Sequence, residues 1–199
     1  NVAGMSETDR KTAGTGTKEG EETFIDFAGH ERVDQSFTYA GDQITSRKDY
    51  FYDGKRLTHA YLFDVSGVTA EQDKRSKSAI IRNIDGTINF AADGTGSVFT
   101  GVLKSEDVYI GTASHERISQ TFKYIDNKID STISYSYEGR TLKHSYTFDV
   151  SKIGTESEKR EKPNIEYDPI TGAIDFGKSN IVGTLETEDI FSGIAGSER

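Results

Sequence analysis

The chain has 199 residues, a formal charge of −9 and a sequence pI near 5.0. A nucleic-acid backbone is a poor partner for such a chain, because phosphate binding needs a basic face. Cysteine is absent, which excludes disulfides, thiolate metal sites and cysteine nucleophiles, and no apolar run approaches the ~20 residues of a membrane helix. Hydrophobic residues are 33% of the chain, yet 10 Tyr and 11 Phe are present. That balance suits a thin β-structure with large aromatics in its core and charge outside.

Residues 1–22, NVAGMSETDRKTAGTGTKEGEE, are polar and low in complexity and read as a flexible tether. The chain opens on Asn1 without a signal peptide, which fits a mature or trimmed form of an exported protein. A duplication follows. Residues 30–66 lie over 115–151 without a gap, with 18 of 37 positions identical. A repeat decides architecture before local signals do. It divides the chain into a first β repeat over 23–107 and a second over 108–199. The IAGSER stretch at 194–199 echoes FAGHER at 27–32 and TASHER at 112–117, as a third beginning or a closing strand.

Inside each unit the pattern has period two. Val33, Gln35, Phe37 and Tyr39 alternate with polar residues as far as the Gly41-Asp42 turn. A second strand is expected to place Ile129, Ser131, Ile133, Tyr135 and Tyr137 on one face, matched by Ile44, Ser46, Tyr50 and Tyr52, with Lys48 where Ile133 stands. Asp53-Gly54 and Glu138-Gly139 predict hairpin turns. The third strand carries Leu57, His59, Tyr61, Phe63 and Val65 on one side, repeated as Leu142, His144, Tyr146, Phe148 and Val150. The charged stretches 68–78 and 153–163 read as solvated loops in which Glu71, Lys74 and Arg75 recur as Glu156, Lys159 and Arg160. Two further strands are expected in each copy, 80–90 with 97–103 and 165–176 with 180–186. The predicted class is all-β: antiparallel meanders from two tandem repeats of about 85 residues, as a barrel or sandwich.

All four histidines fall in repeat-matched pairs. His59 and His144 share the apolar face of a strand. With Tyr61 and Tyr146 they are the candidate ligand-binding residues, either as ligands to haem or a metal or as core histidines bonded to neighbours. His30 and His115 are out of phase with their strands and belong to a rim. The triplets His30-Glu31-Arg32 and His115-Glu116-Arg117 read as a partner-recruiting charge pair or as a salt bridge where repeats join. Eight tyrosines form matched pairs, Tyr39/Tyr124, Tyr50/Tyr135, Tyr52/Tyr137 and Tyr61/Tyr146, suited to core packing or to lining a cavity. No catalytic residues are assigned. The chain lacks G-x-S-x-G and phosphate-loop motifs, Ser114-His115 is an adjacent pair without nucleophile-base geometry, and no metal-ligand spacing such as H-x-H or HExxH occurs.

The segment GAIDFGKSNIVGTLETEDIFSGIAGSER at 172–199 carries Asp175, Phe176, Gly177, Gly183, Thr184, Leu185, Phe191, Gly193 and Glu198, and residues 86–116 repeat it more loosely. This spacing resembles the strand pairs of bacterial surface-lipoprotein β-barrels of the transferrin-binding-protein type. The resemblance covers the C-terminal third. It implies an outer-surface, partner-binding β-protein, lipid-anchored in its native form, and carries no specific binding residue across; the family's lipid-bearing cysteine and large lobes are missing.

The function expected is therefore a non-enzymatic, exported or cell-surface bacterial protein that recognises a host macromolecule or a nutrient ligand, without a resident cofactor. The alternatives are a haem or metal carrier using the inward His and Tyr residues, and a structural repeat or stalk of a larger surface protein.

Overall fold

The computed structural model describes residues 18–26, 29–91 and 94–192. Its strands are β1 (Gly20–Ile25), β2 (Arg32–Ala40), β3 (Gln43–Asp53), β4 (Arg56–Asp64), β5 (Val102–Ile110), β6 (Arg117–Ile125), β7 (Lys128–Glu138), β8 (Thr141–Asp149) and β9 (Thr184–Ile190). They form one nine-stranded antiparallel meander in chain order. The expected all-β class is what the chain adopts. The two copies share this sheet, because β5 pairs with β4 of the first and β6 of the second.

Each unit contributes four strands, β2–β5 and β6–β9, and β1 stands where β5 and β9 stand. Residues 20–22 of the expected tether belong to β1, while residues 1–17 and the 194–199 echo lie outside the described residues. The segments 80–90 and 165–176 are not strands. They form loops held by isolated bridges such as Ala79 with Val98 and Asn164 with Asn180. The connections between β4 and β5 and between β8 and β9 fold back over one face of the sheet and place Ile88, Phe90, Phe99, Ile165 and Ile174 in or against the core. That face is the covered face. The other is the open face.

Parity along β3 and β7 breaks once in each. Tyr39 pairs with Ile44 but Thr38 with Ser46, so Thr45 is an extra bulge residue, and Asp130 is its equivalent in copy two. A bulge reverses which side chains face which way. Ile44 and Ile129 therefore point to the covered face, while Ser46, Lys48, Tyr50 and Tyr52, with Ser131, Ile133, Tyr135 and Tyr137, point to the open face. The expected single face for these residues is corrected accordingly. Lys48 does not face an open edge. It lies in a central strand and its ammonium donates to Asp107 at 2.7 Å.

The charged connections are not wholly solvated. The short helix α1 (Glu71–Lys74) and the 3-10 turn Glu158–Arg160 turn their basic residues onto the sheet. Lys74 is 3% exposed and donates to the Ile44 carbonyl at 3.1 Å; Lys159, 4% exposed, donates to the Ile129 carbonyl at 2.7 Å. Both ammonium groups thus satisfy carbonyls beside the two bulges.

Strands β5 and β9 begin alike. Gly101 has φ +93° and a Cβ there would sit 2.4 Å from the Asp64 carbonyl oxygen; Gly183, at φ +92°, would meet the Asp149 carbonyl at the same 2.4 Å. Both reasons demand glycine. Gly101→Ala is expected to destabilise by at least about 1–2 kcal/mol, and Gly183→Ala less, because it frees only the last strand. Urea unfolding of both variants measures this, and equal small losses would contradict it.

Candidate functional site

The sequence-predicted histidines and tyrosines do meet on the covered face, as parity indicated. His59 stacks on Tyr61 with centroids 6.1 Å apart, and His144 on Tyr146 at 5.7 Å. What parity did not reveal is the carboxylate beside each pair. Glu106 faces Tyr61 across β4 and β5, and Glu188 faces Tyr146 across β8 and β9.

Glu106 is fully buried and sits where the two repeats meet. From the first repeat, Arg82 contacts its Oε1 and also donates to the Tyr61 hydroxyl at 2.6 Å. His59 Nε2 stands 3.8 Å away. From the second repeat, Arg160 donates to Oε1 at 2.7 Å and to the Tyr124 hydroxyl at 3.0 Å, while Tyr124 donates to Oε2 at 2.9 Å. Burial opposes ionisation, but the two guanidiniums outweigh it and hold the carboxyl below its ordinary range. Burial pushes the Tyr61 phenol up to about 12.

The same position is filled differently elsewhere. Glu21, 85 residues before Glu106, meets the following half of the network, Arg75 at 2.7 and 3.0 Å and Tyr39 at 2.5 Å, and in addition Lys18 at 2.6 Å. The Arg75 hydrogen bonds lead in drawing its pKa down to about 2. Glu188 meets only the preceding half: His144 Nδ1 at 3.0 Å and the Tyr167 hydroxyl at 2.7 Å, with Tyr146 bonded to Tyr167 in turn. Tyr167 stands 85 residues after Arg82 and replaces it. Among the described residues no lysine or arginine pairs with Glu188.

Burial, then the positive charge of Arg82, lower the His59 pKa from 6.5 to about 4. The unfolded chain takes up this proton first, so stability present above pH 6.5 is lost as pH falls toward 4 and not further. The loss is expected to be on the order of 3 kcal/mol. It would be read as a fall in urea midpoint between pH 7 and pH 4 that is smaller in His59→Gln, where only the carboxylates contribute; an unchanged pH profile in that variant would contradict it.

The rim residues do local work. The Glu31 carboxylate accepts from the Gly29 N–H at 2.9 Å, and Glu116 from the Leu57 N–H at 3.0 Å, which ties β6 to the first repeat's hairpin. Arg32 and Arg117 lie over the Tyr52 and Tyr137 rings at 4.4 and 4.7 Å and contact the Gly54 and Gly139 carbonyls. Among the described residues only Arg32 also meets a carboxylate, Asp26 at 2.5 Å. In neither copy do the adjacent Glu and Arg pair with each other. His30 and His115 are exposed.

Comparison with protein-family models, with curated proteins and with solved structures finds no match. Among the described residues no group of three His, Cys, Asp or Glu side chains is placed to hold a metal ion, and no helix is long and apolar enough to cross a membrane.

The open face carries the feature that sequence reasoning missed. Tyr50 pairs across the strands with Ala60, and Tyr135 with Ser145, so each ring stands beside a small buried residue. Tyr109 lies near enough to Tyr50, Tyr52 and Tyr135 to sense their charge. Its phenol is raised by burial and by Asp107. Beside these rings lies the Lys48–Asp107 pair, with Thr121 donating to Asp107 at 2.7 Å. The result is a half-buried tyrosine band crossing both repeats.

Proposed function

We propose that the chain is a non-enzymatic binding module of the exported, cell-surface bacterial kind, which contacts a protein partner through the tyrosine band of its open face. The supporting observation is the division of labour between the faces. On the covered face the histidines, arginines, tyrosines and Glu106 are engaged with one another. The open face instead offers Tyr50, Tyr52, Tyr109 and Tyr135 beside the Lys48–Asp107 pair, and tyrosine supplies broad amphipathic area at small entropic cost. The resemblance of the C-terminal third to surface-lipoprotein barrels points the same way.

Interferometry against a panel of host serum proteins tests this reading. A bound partner should lose at least ~30-fold in affinity when Tyr50 and Tyr135 are both changed to alanine, as expected of central aromatic anchors. Binding that ignores both changes, or silence across the panel, would remove it.

A further inference from the structure

The three equivalent glutamates are not equally complete. Glu106 is held from both sides. Among the described residues, Glu21 has the Tyr and Arg that follow it in sequence, with Lys18 in place of the preceding half, and Glu188 has only partners that precede it. The missing partners of Glu188 can be named from the template: a tyrosine such as Tyr124 and a loop arginine such as Arg160.

A second, independent observation lies beside it. Phe90 packs against Phe99 and against Tyr124 of the following unit, with centroids 6.1 and 6.2 Å apart. Its repeat equivalent, Phe176, is 66% exposed. Phe176, Ile181 and Leu185 line an open groove next to β9. In the first repeat Leu103, the equivalent of Leu185, is 1% exposed beneath the β5–β6 junction. The groove is the socket that Tyr124 fills one unit earlier. At the other end the sheet is finished differently: Lys18 stands where Leu103 and Leu185 stand, bonds Glu21 and lies over the Tyr39 ring at 4.5 Å.

We infer that the edge of β9 left unpaired among the described residues, with Glu188 and the Phe176 groove, is a docking edge for a further unit of this same repeat, joined to β9 as β6 is joined to β5. The occupant would bring a strand with a Tyr124-type residue into the groove and an Arg160-type guanidinium onto Glu188. Charge complementarity and the internal template both select that occupant. An inward-pointing carboxylate on an edge strand can also serve to repel pairing, and the two roles predict opposite results. The inference stands apart from the open-face reading, since it uses neither the tyrosine band nor an external partner.

The test extends the whole 199-residue chain with a second copy of residues 118–199, which continues the repeat in phase. Amide exchange of β9 is followed by mass spectrometry. Docking should slow the β9 amides on the side away from β8 by at least ~100-fold. It should also make Glu188→Gln costly in the extended chain while leaving it mild in the original. Changing the appended copy's equivalents of Tyr124 and Arg160 to phenylalanine and methionine should erase that new sensitivity. Unchanged exchange in β9, whether because the added unit folds apart or does not fold, overturns the inference. So does self-association of the original chain on Glu188→Gln alone, which would mark Glu188 as a repelling guard.

Discussion

Glu106→Gln is expected to be among the most damaging single substitutions in the chain, lowering the unfolding free energy by about 3–5 kcal/mol. The reason is what it leaves behind. Arg82 and Arg160 converge on this one carboxylate, and Arg160 lies against the Phe122 ring at 4.2 Å, so neither charge is free to return fully to water. Removing one partner of a buried ion group costs more than the group itself contributes, because uncompensated charge remains. With ordinary domain stabilities of about 5–15 kcal/mol, the variant should be near its folding limit. Glu21→Gln, whose partners are better solvated, should cost about 1 kcal/mol or less. Glu188→Gln strands no buried cation and should cost least. Urea midpoints of the three variants, measured side by side at pH 7, check the order. A Glu106→Gln loss no larger than that of Glu21→Gln would mean that the network at the repeat junction contributes little to stability.

How much of this was legible follows from where the signals lie. The duplication, the hairpins at Asp53-Gly54 and Glu138-Gly139, and the inward side of His59, Tyr61 and Phe63 were readable, because turn chemistry and alternation are local. The bulges at Thr45 and Asp130 were not. The positions they turn inward are Arg47 and Asp49 in one copy and Thr132 and Ser134 in the other, so hydrophobicity marks the wrong face. The tyrosine band was hidden by the same reversal. The buried charges of α1 and the 3-10 turn had a usable signal: Lys74-Arg75 recurs as Lys159-Arg160, flanked by Glu71 and Lys77 that recur as Glu156 and Lys162. Solvated loops have no reason to keep such a pair in register. Glu106 and Arg82 offered less. Glu106-Asp107 recurs as Glu188-Asp189, but a repeated glutamate in a strand and an arginine in a loop acquire meaning only when β4, β5 and β6 are laid side by side.

The interior of the first repeat holds a further buried charge group, and the second repeat shows how the fold dispenses with it. Arg47 is 0% exposed and donates to the Lys74 carbonyl at 3.0 Å and to Ser78 Oγ at 2.9 Å. Its Nε stands 2.9 Å from Asp49 Oδ1, an ion-pair contact without hydrogen-bond alignment. Asp49, also 0% exposed, accepts from Gln35 at 2.8 Å and from the Ser78 N–H at 2.9 Å. At the equivalent positions 85 residues on stand Thr132, Ser134 and Pro163, in place of Arg47, Asp49 and Ser78. The charges have been replaced together, and so has the residue they bond. Asp49→Ser alone should therefore cost about 3–5 kcal/mol, because it leaves the Arg47 guanidinium buried without its counter-charge. Adding Arg47→Thr and Ser78→Pro, which completes the set used by copy two, should recover most of that loss, since a neutral replacement of a buried pair is often near neutral in stability. A double-mutant cycle on Arg47 and Asp49 in urea should give a coupling energy of about 2–3 kcal/mol. Additive losses would show instead that the two side chains act independently, and that the joint replacement in the second repeat reflects no energetic link between them.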